Sequence, residues 1–327
     1  VRLPEGRRAN LTLAAASALA TLVVAAFAWE IRGCVRYHRW RARFDEKGWM
    51  GRLTVASANP VLLWEYRPHA EVDGIATNRF GFREVDLASP EKPPGTYRIA
   101  FVGDSVTLGM GVAPAQTFVR RVGEASFVDG GTVQALNFGV DGYQALQVRE
   151  LLTTKVLAFQ PDQVVYMMCL NDFDFADSSG RKISYFRKPS SFVLLDLERA
   201  FRALRGTEFH RHHFARNRTE VFGAVVHMKR VLDERGADFL MVVVPAFPER
   251  AGDRDHFAHY DLADLHEEIA RFADQNGVPL HDLLPAFRAL PPPAERYALD
   301  LWHLSEEGHR AVADNLRPVL LRSNPTE

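Results

Sequence analysis

The sequence predicts an α/β protein whose parallel sheet is covered by helices on both faces, and three observations carry that reading. From residue 97 onward, short apolar strand patterns alternate with amphipathic helical patterns. The stretch 164–168 is almost wholly apolar, as a strand covered on both faces should be. Polar words of two to four residues fall where the strands end, which is where open parallel sheets carry their sites.

In chain order, strands are expected over 99–102, 133–138, 164–168, 239–244 and 278–283. Pro245 stops the fourth. Helices are expected over 144–159, 219–233 and 260–275. In the last of these, Leu262, Leu265, Ile269 and Phe272 have the spacing of one buried face. Gly236 and Gly277 follow two of the helices as C-terminal caps. Ser305 can cap the final helix, with Glu306 and Glu307 well placed in its first turn. Residues 173–218 break the alternation and read as an insertion after the third strand, of a length typical of lids and binding surfaces.

Composition allows a proper core: 327 residues, 47% apolar and 25% charged. A formal net charge of -1 provides no global field that would draw nucleic acid. The two cysteines, Cys34 and Cys169, are not expected to pair, and there is no zinc-type spacing. Residues 11–29 carry no charge and are long enough to cross a bilayer as a helix. Arg7 and Arg8 precede them, and Arg32, Arg36, Arg39, Arg41 and Arg43 follow. A membrane anchor is the leading reading. Ala26-Phe27-Ala28 keeps a cleaved signal peptide open, although the basic run beyond it argues against cleavage. The flanking arginines alone would hold the large domain in the cytoplasm, yet long domains can cross regardless of local charge. The run Arg36-Tyr37-His38-Arg39-Trp40 suits either a membrane interface or a solvated helix. The expected organisation is a tail over 1–10, an anchor over 11–30, a connecting region over 31–95 ending in a Pro-rich breaker, and the main domain over 96–322.

Three words carry the chemistry: Gly103-Asp104-Ser105 after the first core strand, Asn171-Asp172 after the third, and Asp300-Leu301-Trp302-His303 before the last helix. A serine hydroxyl needs a base to take its proton and an acid group to orient that base. The order Ser, Asp, His provides all three and points to serine-dependent acyl transfer. Asn137-Phe138-Gly139 ends the second strand, where a glycine lets a backbone N–H face a substrate oxygen or simply makes a turn. The Asn171 amide can donate to an oxyanion.

Together these four blocks resemble the SGNH hydrolase superfamily, the GDSL esterases and lipases, over roughly residues 96–322. The letters match Ser105, Gly139, Asn171 and His303. The resemblance implies a three-layer α/β/α sandwich around a five-stranded parallel sheet, flavodoxin-like, with no metal or organic cofactor. It implies Ser105 as nucleophile, His303 as base and Asp300 as the residue orienting it. The N–H groups of Ser105 and Gly139 and the Asn171 side chain would form the oxyanion hole. The expected activity is hydrolysis of an acyl ester, an acetyl group on a sugar or polymer being one candidate substrate. Transfer of the acyl group to a sugar hydroxyl, and a membrane-tethered binding or assembly subunit on a hydrolase scaffold, are the alternatives. Anchored members of the family mostly expose the domain outside the cytoplasm, and the resemblance implies the same side here, against the local charges. Two blocks depart from the pattern: Cys169-Leu170-Asn171-Asp172 stands where Gly-x-Asn-Asp is usual, and Val106 follows the serine instead of leucine. Asn78-Arg79-Phe80-Gly81-Phe82-Arg83 resembles a segment preceding the catalytic domain in anchored bacterial members and is expected to pack on it. His210, His212, His213, His256 and His259 lack partner carboxylates at metal spacing, and with Arg216 and Arg218 the first three read as a basic lid.

Overall fold

The uncharged stretch and the basic, aromatic run after it form one helix, α1 (Glu5–Lys47). This is a computed structural model, and it describes residues 5–47, 49–87, 89–124, 132–173, 190–205, 207–248 and 255–320. Within α1, Thr12–Arg39 is long and apolar enough to cross a membrane by length and composition. A short helix, α2 (Trp49–Leu53), leads into two small antiparallel pairs, β1 (Thr54–Ala56) with β2 (Trp64–Tyr66) and β3 (Glu71–Val72) with β4 (Ile75–Ala76). The connecting region is thus folded. Leu53, Leu62, Trp64, Tyr66, Val72, Ile75 and Phe82 join the same apolar core as the main sheet. Hydrogen bonds stitch it there as well: Tyr143 Oη donates to the Trp64 carbonyl at 2.5 Å, Gln147 Nε2 to that of Leu62 at 2.9 Å, and the Asp141 N–H to Tyr66 Oη at 2.9 Å.

Then the alternation begins. β5 (Thr96–Gly103) is followed by the four-residue α3 (Ser105–Leu108) and by α4 (Phe118–Gly123); β6 (Thr132–Gly139) is followed by α5 (Ala145–Thr154). The expected single helix over 144–159 breaks at Lys155 and finishes as a 3₁₀ turn, Val156–Phe159. β7 (Gln163–Cys169) is buried along its whole length, as its apolar run requires. Of the expected insertion, residues 174–189 lie outside those described; the rest forms α6 (Phe192–Arg205) and the first turns of α7 (Thr207–Asp233). That helix starts 12 residues before the expected 219, because its first turns bury Phe209, His210, His213 and Phe214. β8 (Asp238–Val244), α8 (Ala263–Gln275), β9 (Leu280–Asp282), α9 (Leu284–Ala289) and α10 (Glu306–Leu320) complete the order.

The five long-range strands pair in parallel in the order β6-β5-β7-β8-β9, flanked by helices: the α/β fold expected. The first crossover, β5 to β6, runs one way; the second, β6 to β7, returns past β5, and the last two continue outward on that side, so the strand order reverses beside β5, where open sheets hold their sites. The register sets the level of that edge: Gly103 of β5 pairs with Gly139 of β6 and with Met167 of β7.

One buried group in α10 is sensitive to pH. His309 is 1% exposed, stacks on Phe118 at 5.5 Å and accepts the Phe118 N–H on Nδ1 at 3.2 Å, so it is neutral in the fold. Burial, then the nearby guanidinium groups of Arg83 and Arg121, lower its pKa from 6.5 to about 3. The unfolded chain therefore binds a proton here that the fold refuses, between pH 6.5 and about 3. Stability from this group is fully present above 6.5 and is lost as pH falls toward 3, by about 3 kcal/mol at pH 4. In urea titrations at pH 7 and pH 4, His309→Gln should therefore lose less stability between the two than the unaltered protein. Equal losses would show that the imidazole is not what acid attacks.

Candidate active site

Ser105 opens α3 directly after β5. Asp104 is the N-cap: its Oδ1 accepts the Val106 N–H at 2.9 Å, and its Oδ2 accepts from Asn171 Nδ2 at 2.9 Å. This carboxyl is 1% exposed, and burial pushes its pKa up against those two bonds. Asn171 sits in the 3₁₀ turn Leu170–Phe173 at the end of β7. Its bond to Asp104 uses one amide hydrogen and leaves the other for a ligand.

His303 and Asp300 reach the same place from a closed loop. An antiparallel bridge between Ala298 and Leu304 pinches it, and the Leu299 N–H donates to the His303 carbonyl at 2.7 Å. The Phe247 N–H, just beyond β8, donates to the Leu301 carbonyl at 2.8 Å. Asp300 Oδ2 lies 2.7 Å from His303 Nδ1, while its Oδ1 accepts the N–H groups of Trp302 and His303 at 2.9 Å each. Burial acts to raise the Asp300 pKa, but these hydrogen bonds outweigh it and hold the carboxyl well below its ordinary range. With Nδ1–H donating to a carboxylate, Nε2 is the accepting nitrogen, and it stands 2.9 Å from Ser105 Oγ. Such a chain can take the hydroxyl proton as the oxygen attacks a carbonyl and return it to a leaving group.

The structure thus brings Ser105, Asn171, Asp300 and His303 together. Gly139 is adjacent, but a Cβ there would lie 2.2 Å from the Leu108 backbone nitrogen, so the absence of a side chain lets α3 pack on β6. Its N–H donates to Asn137 Oδ1 at 2.9 Å. The histidines 210 and 213 are buried in aromatic contacts; His210 meets Trp302 of the loop pinched by Ala298 and Leu304 edge to face at 5.1 Å. The expected basic lid is electrically balanced: Arg211 pairs with Asp264, and Arg218 with Glu268, both acids on α8.

Two supports had no recognisable signal as site residues. Arg83, the last residue of the Asn78 to Arg83 segment, is 6% exposed. Its Nη1 donates to the carbonyls of Leu108 (3.0 Å) and Gly109 (2.5 Å), and its Nη2 to those of Gly74 (3.1 Å) and Val112 (2.6 Å). Glu84 beside it accepts the Asn137 N–H at 3.0 Å and Arg120 Nη2 at 2.9 Å. Across the sheet, Asp282, His266 and Tyr260 form a chain, His266 Nδ1 lying 2.9 Å from Asp282 Oδ1 and its Nε2 3.4 Å from Tyr260 Oη. Tyr260 Oη accepts the Ala246 N–H at 2.9 Å, which braces the segment that holds Leu301. Both supports were visible as residues and invisible as a network, since their partners, backbone and side chain alike, come from other elements of the fold.

The sequence profile of the GDSL-like lipase/acylhydrolase family matches residues 101–311, more than half of the chain. No curated protein matches. Among solved structures, this chain is similar to a catalytic mutant of an acetylxylan esterase from Geobacillus stearothermophilus (16% identity, TM-score 0.45, covering 68% of this chain and 94% of that one). It is also similar to a GDSL-like lipase from Bacteroides thetaiotaomicron (16%, 0.42, 69% and 88%). A third is a lipolytic G-D-S-L family protein from Veillonella parvula (16%, 0.43, 70% and 100%).

Arg83 should act on Ser105 through α3. Lysine cannot reach four carbonyls in two directions, so Arg83→Lys should lower kcat about tenfold or more while KM changes little. Arg83→Ala should also lower the thermal midpoint, since each buried carbonyl left without a donor costs about 1–3 kcal/mol. An Arg83→Lys enzyme with unchanged kcat would show that the guanidinium does not position the serine.

Proposed function

This chain belongs to the GDSL-like lipase/acylhydrolase family, and from that premise we propose that it is a membrane-anchored serine esterase working through Ser105, His303 and Asp300. The observation that carries the reading is the unbroken chain Asp300 Oδ2, His303 Nδ1, His303 Nε2, Ser105 Oγ, with steps of 2.7 Å and 2.9 Å on either side of the imidazole. In the proposed cycle the imidazole takes the Ser105 proton as Oγ forms a bond to the acyl carbon. Collapse of the tetrahedral intermediate breaks the ester C–O bond, and the imidazolium returns the proton to the departing alcohol. Water then repeats the sequence on the acyl-serine and releases the acid.

The oxyanion would be met by the Ser105 N–H, which as the first helical N–H has no partner inside α3, and by the remaining Asn171 amide hydrogen. Gly139 is included as a third donor provided its N–H exchanges Asn137 Oδ1 for the substrate oxygen. An acetyl ester on a sugar or polymer is the substrate class this reading takes as its first candidate. The apolar length of α1 supports an anchor, and the family resemblance supports a domain outside the cytoplasm.

Ser105→Ala should abolish hydrolysis of p-nitrophenyl acetate and covalent labelling by a fluorophosphonate, with the adduct on the unaltered protein mapping to Ser105 by mass spectrometry. Asn171→Ala should keep the label and lower kcat by about 10²–10³. Asp300→Asn should lower kcat by up to about 10⁴ through the wrong imidazole tautomer. Full hydrolysis by Ser105→Ala would end this assignment.

A further inference from the structure

We propose that α6 is an interfacial helix that lies on the bilayer surface beside the end of α1 and fixes the esterase domain against the membrane. The proposal rests on the reading of α1 as an anchor. Its observations are the contacts between the two helices and the face that α6 leaves uncovered.

The uncharged stretch of α1 ends at Trp29, and α6 is fastened at that level. Glu30, the first charge after it, caps α6: its carboxylate accepts from Ser191 Oγ and from the N–H groups of Phe192 (2.8 Å) and Val193 (3.1 Å). Trp29 Nε1 and Arg36 Nη2 both donate to Asp196 Oδ2, at 3.0 and 2.8 Å. Phe192 is buried against α1, its ring 6.0 Å from that of Tyr37. A Cβ on Gly33 would lie 2.4 Å from Phe192 Cβ, so the small residue is what admits the close approach. The insertion is therefore clamped to the place where a spanning helix leaves the hydrocarbon, with an acidic residue satisfied by a helix N-terminus and a tryptophan at the boundary.

The face of α6 opposite Phe192 is apolar and open. Leu194, Leu197 and Leu204 are 65%, 61% and 86% exposed. At 100° per residue they fall within one narrow stripe, about half a turn from Phe192. On α1, the exposed Phe27, Ile31 and Val35 are spaced four apart and form a stripe that leads out of the spanning stretch. That stripe lies on the side of α1 away from Gly33, so the two apolar faces point outward from the clamp on either side of it. Water would be a poor neighbour for both, and the acyl boundary of the bilayer is the solvent that one of them already occupies. The exposed Arg32 and Arg39 next to the clamp suit anionic headgroups. Since α7 follows α6 after one residue and its His210 touches Trp302, the clamp also fixes the orientation of the triad loop relative to the bilayer.

The test uses the full chain in nanodiscs of phosphatidylcholine and phosphatidylglycerol, with Cys34→Ser, the buried Cys169 left in place as the unlabelled background, and one added cysteine carrying an environment-sensitive fluorophore at Leu22, Leu197, Leu204 or Glu220. Hydrolysis of p-nitrophenyl acetate confirms that each labelled protein is folded. The expected result is blue-shifted emission at Leu197→Cys and Leu204→Cys, quenched by lipids with a doxyl group near the headgroup end of the chain. Leu22→Cys should be quenched by deep doxyl lipids and Glu220→Cys by aqueous iodide only. If Leu197→Cys and Leu204→Cys respond to iodide as Glu220→Cys does while Leu22→Cys stays in lipid, the anchor stands and the interfacial helix is overturned. If Leu22→Cys is also reached only by iodide, the anchor reading fails and takes this one with it.

Discussion

A four-residue helix cannot hold itself together, and the position of Ser105 depends on what holds α3. Helix nucleation fixes several residues for a single hydrogen bond and is unfavourable without outside contacts. Here those contacts come from four directions. Asp104 caps the N-terminal end. The Asn137 amide of β6 donates to the Thr107 carbonyl at 2.8 Å, and Arg83 donates to those of Leu108 and Gly109, so the orphan carbonyls of the C-terminal end are met by side chains. Gly139 removes the Cβ that would push the helix off β6. The segment upstream of β5 is thereby part of the support for the serine, whatever its place in a division of the chain.

Two carboxyl groups stand on either side of the serine and imidazole, and their surroundings push them in opposite directions. Asp300 is partly open and holds three hydrogen bonds, which keep it ionised and fix the imidazole tautomer. Asp104 is buried, its pKa raised by burial, and its bonds go to the Val106 N–H and the Asn171 amide. The carboxyl that holds the imidazole and the carboxyl that builds the serine turn are thus separated by environment, although both lie near His303.

The parts of this arrangement that were legible in the sequence are those whose physics is local. Apolar runs fixed the five strands to within a few residues, because a strand buried on both faces has no polar alternative. Gly103-Asp104-Ser105 and Asp300 to His303 could be read because in this chain the cap adjoins the serine and the carboxylate stands three residues from the imidazole it meets, so each word lies within one short stretch. The β1 to β4 pairs were missed because strands of two or three residues leave no periodicity to detect. The extra turns of α7 were missed because their histidines and arginines read as a solvated lid, whereas His210 and His213 are buried and Arg211 reaches Asp264 on another helix. Arg83 was singled out for its neighbours in the motif, but its role lies in carbonyls 25 and more residues away, which no spacing rule encodes.

The substitution of Cys169 for the usual glycine of the third block shows how a site can absorb a change in a motif letter. The bond that organises this turn is made by backbone: the Cys169 N–H donates to Asp172 Oδ2 at 2.9 Å, and any residue can supply it. The side chain points into the core, 1% exposed, where burial pushes the thiol pKa well above its ordinary value and keeps it unreactive. Asn171, two residues on, still reaches Asp104. What this turn demands of position 169 is therefore a strand-end backbone and a side chain small enough for the core. Cysteine meets both demands, and the Asn171 amide keeps its bond to Asp104.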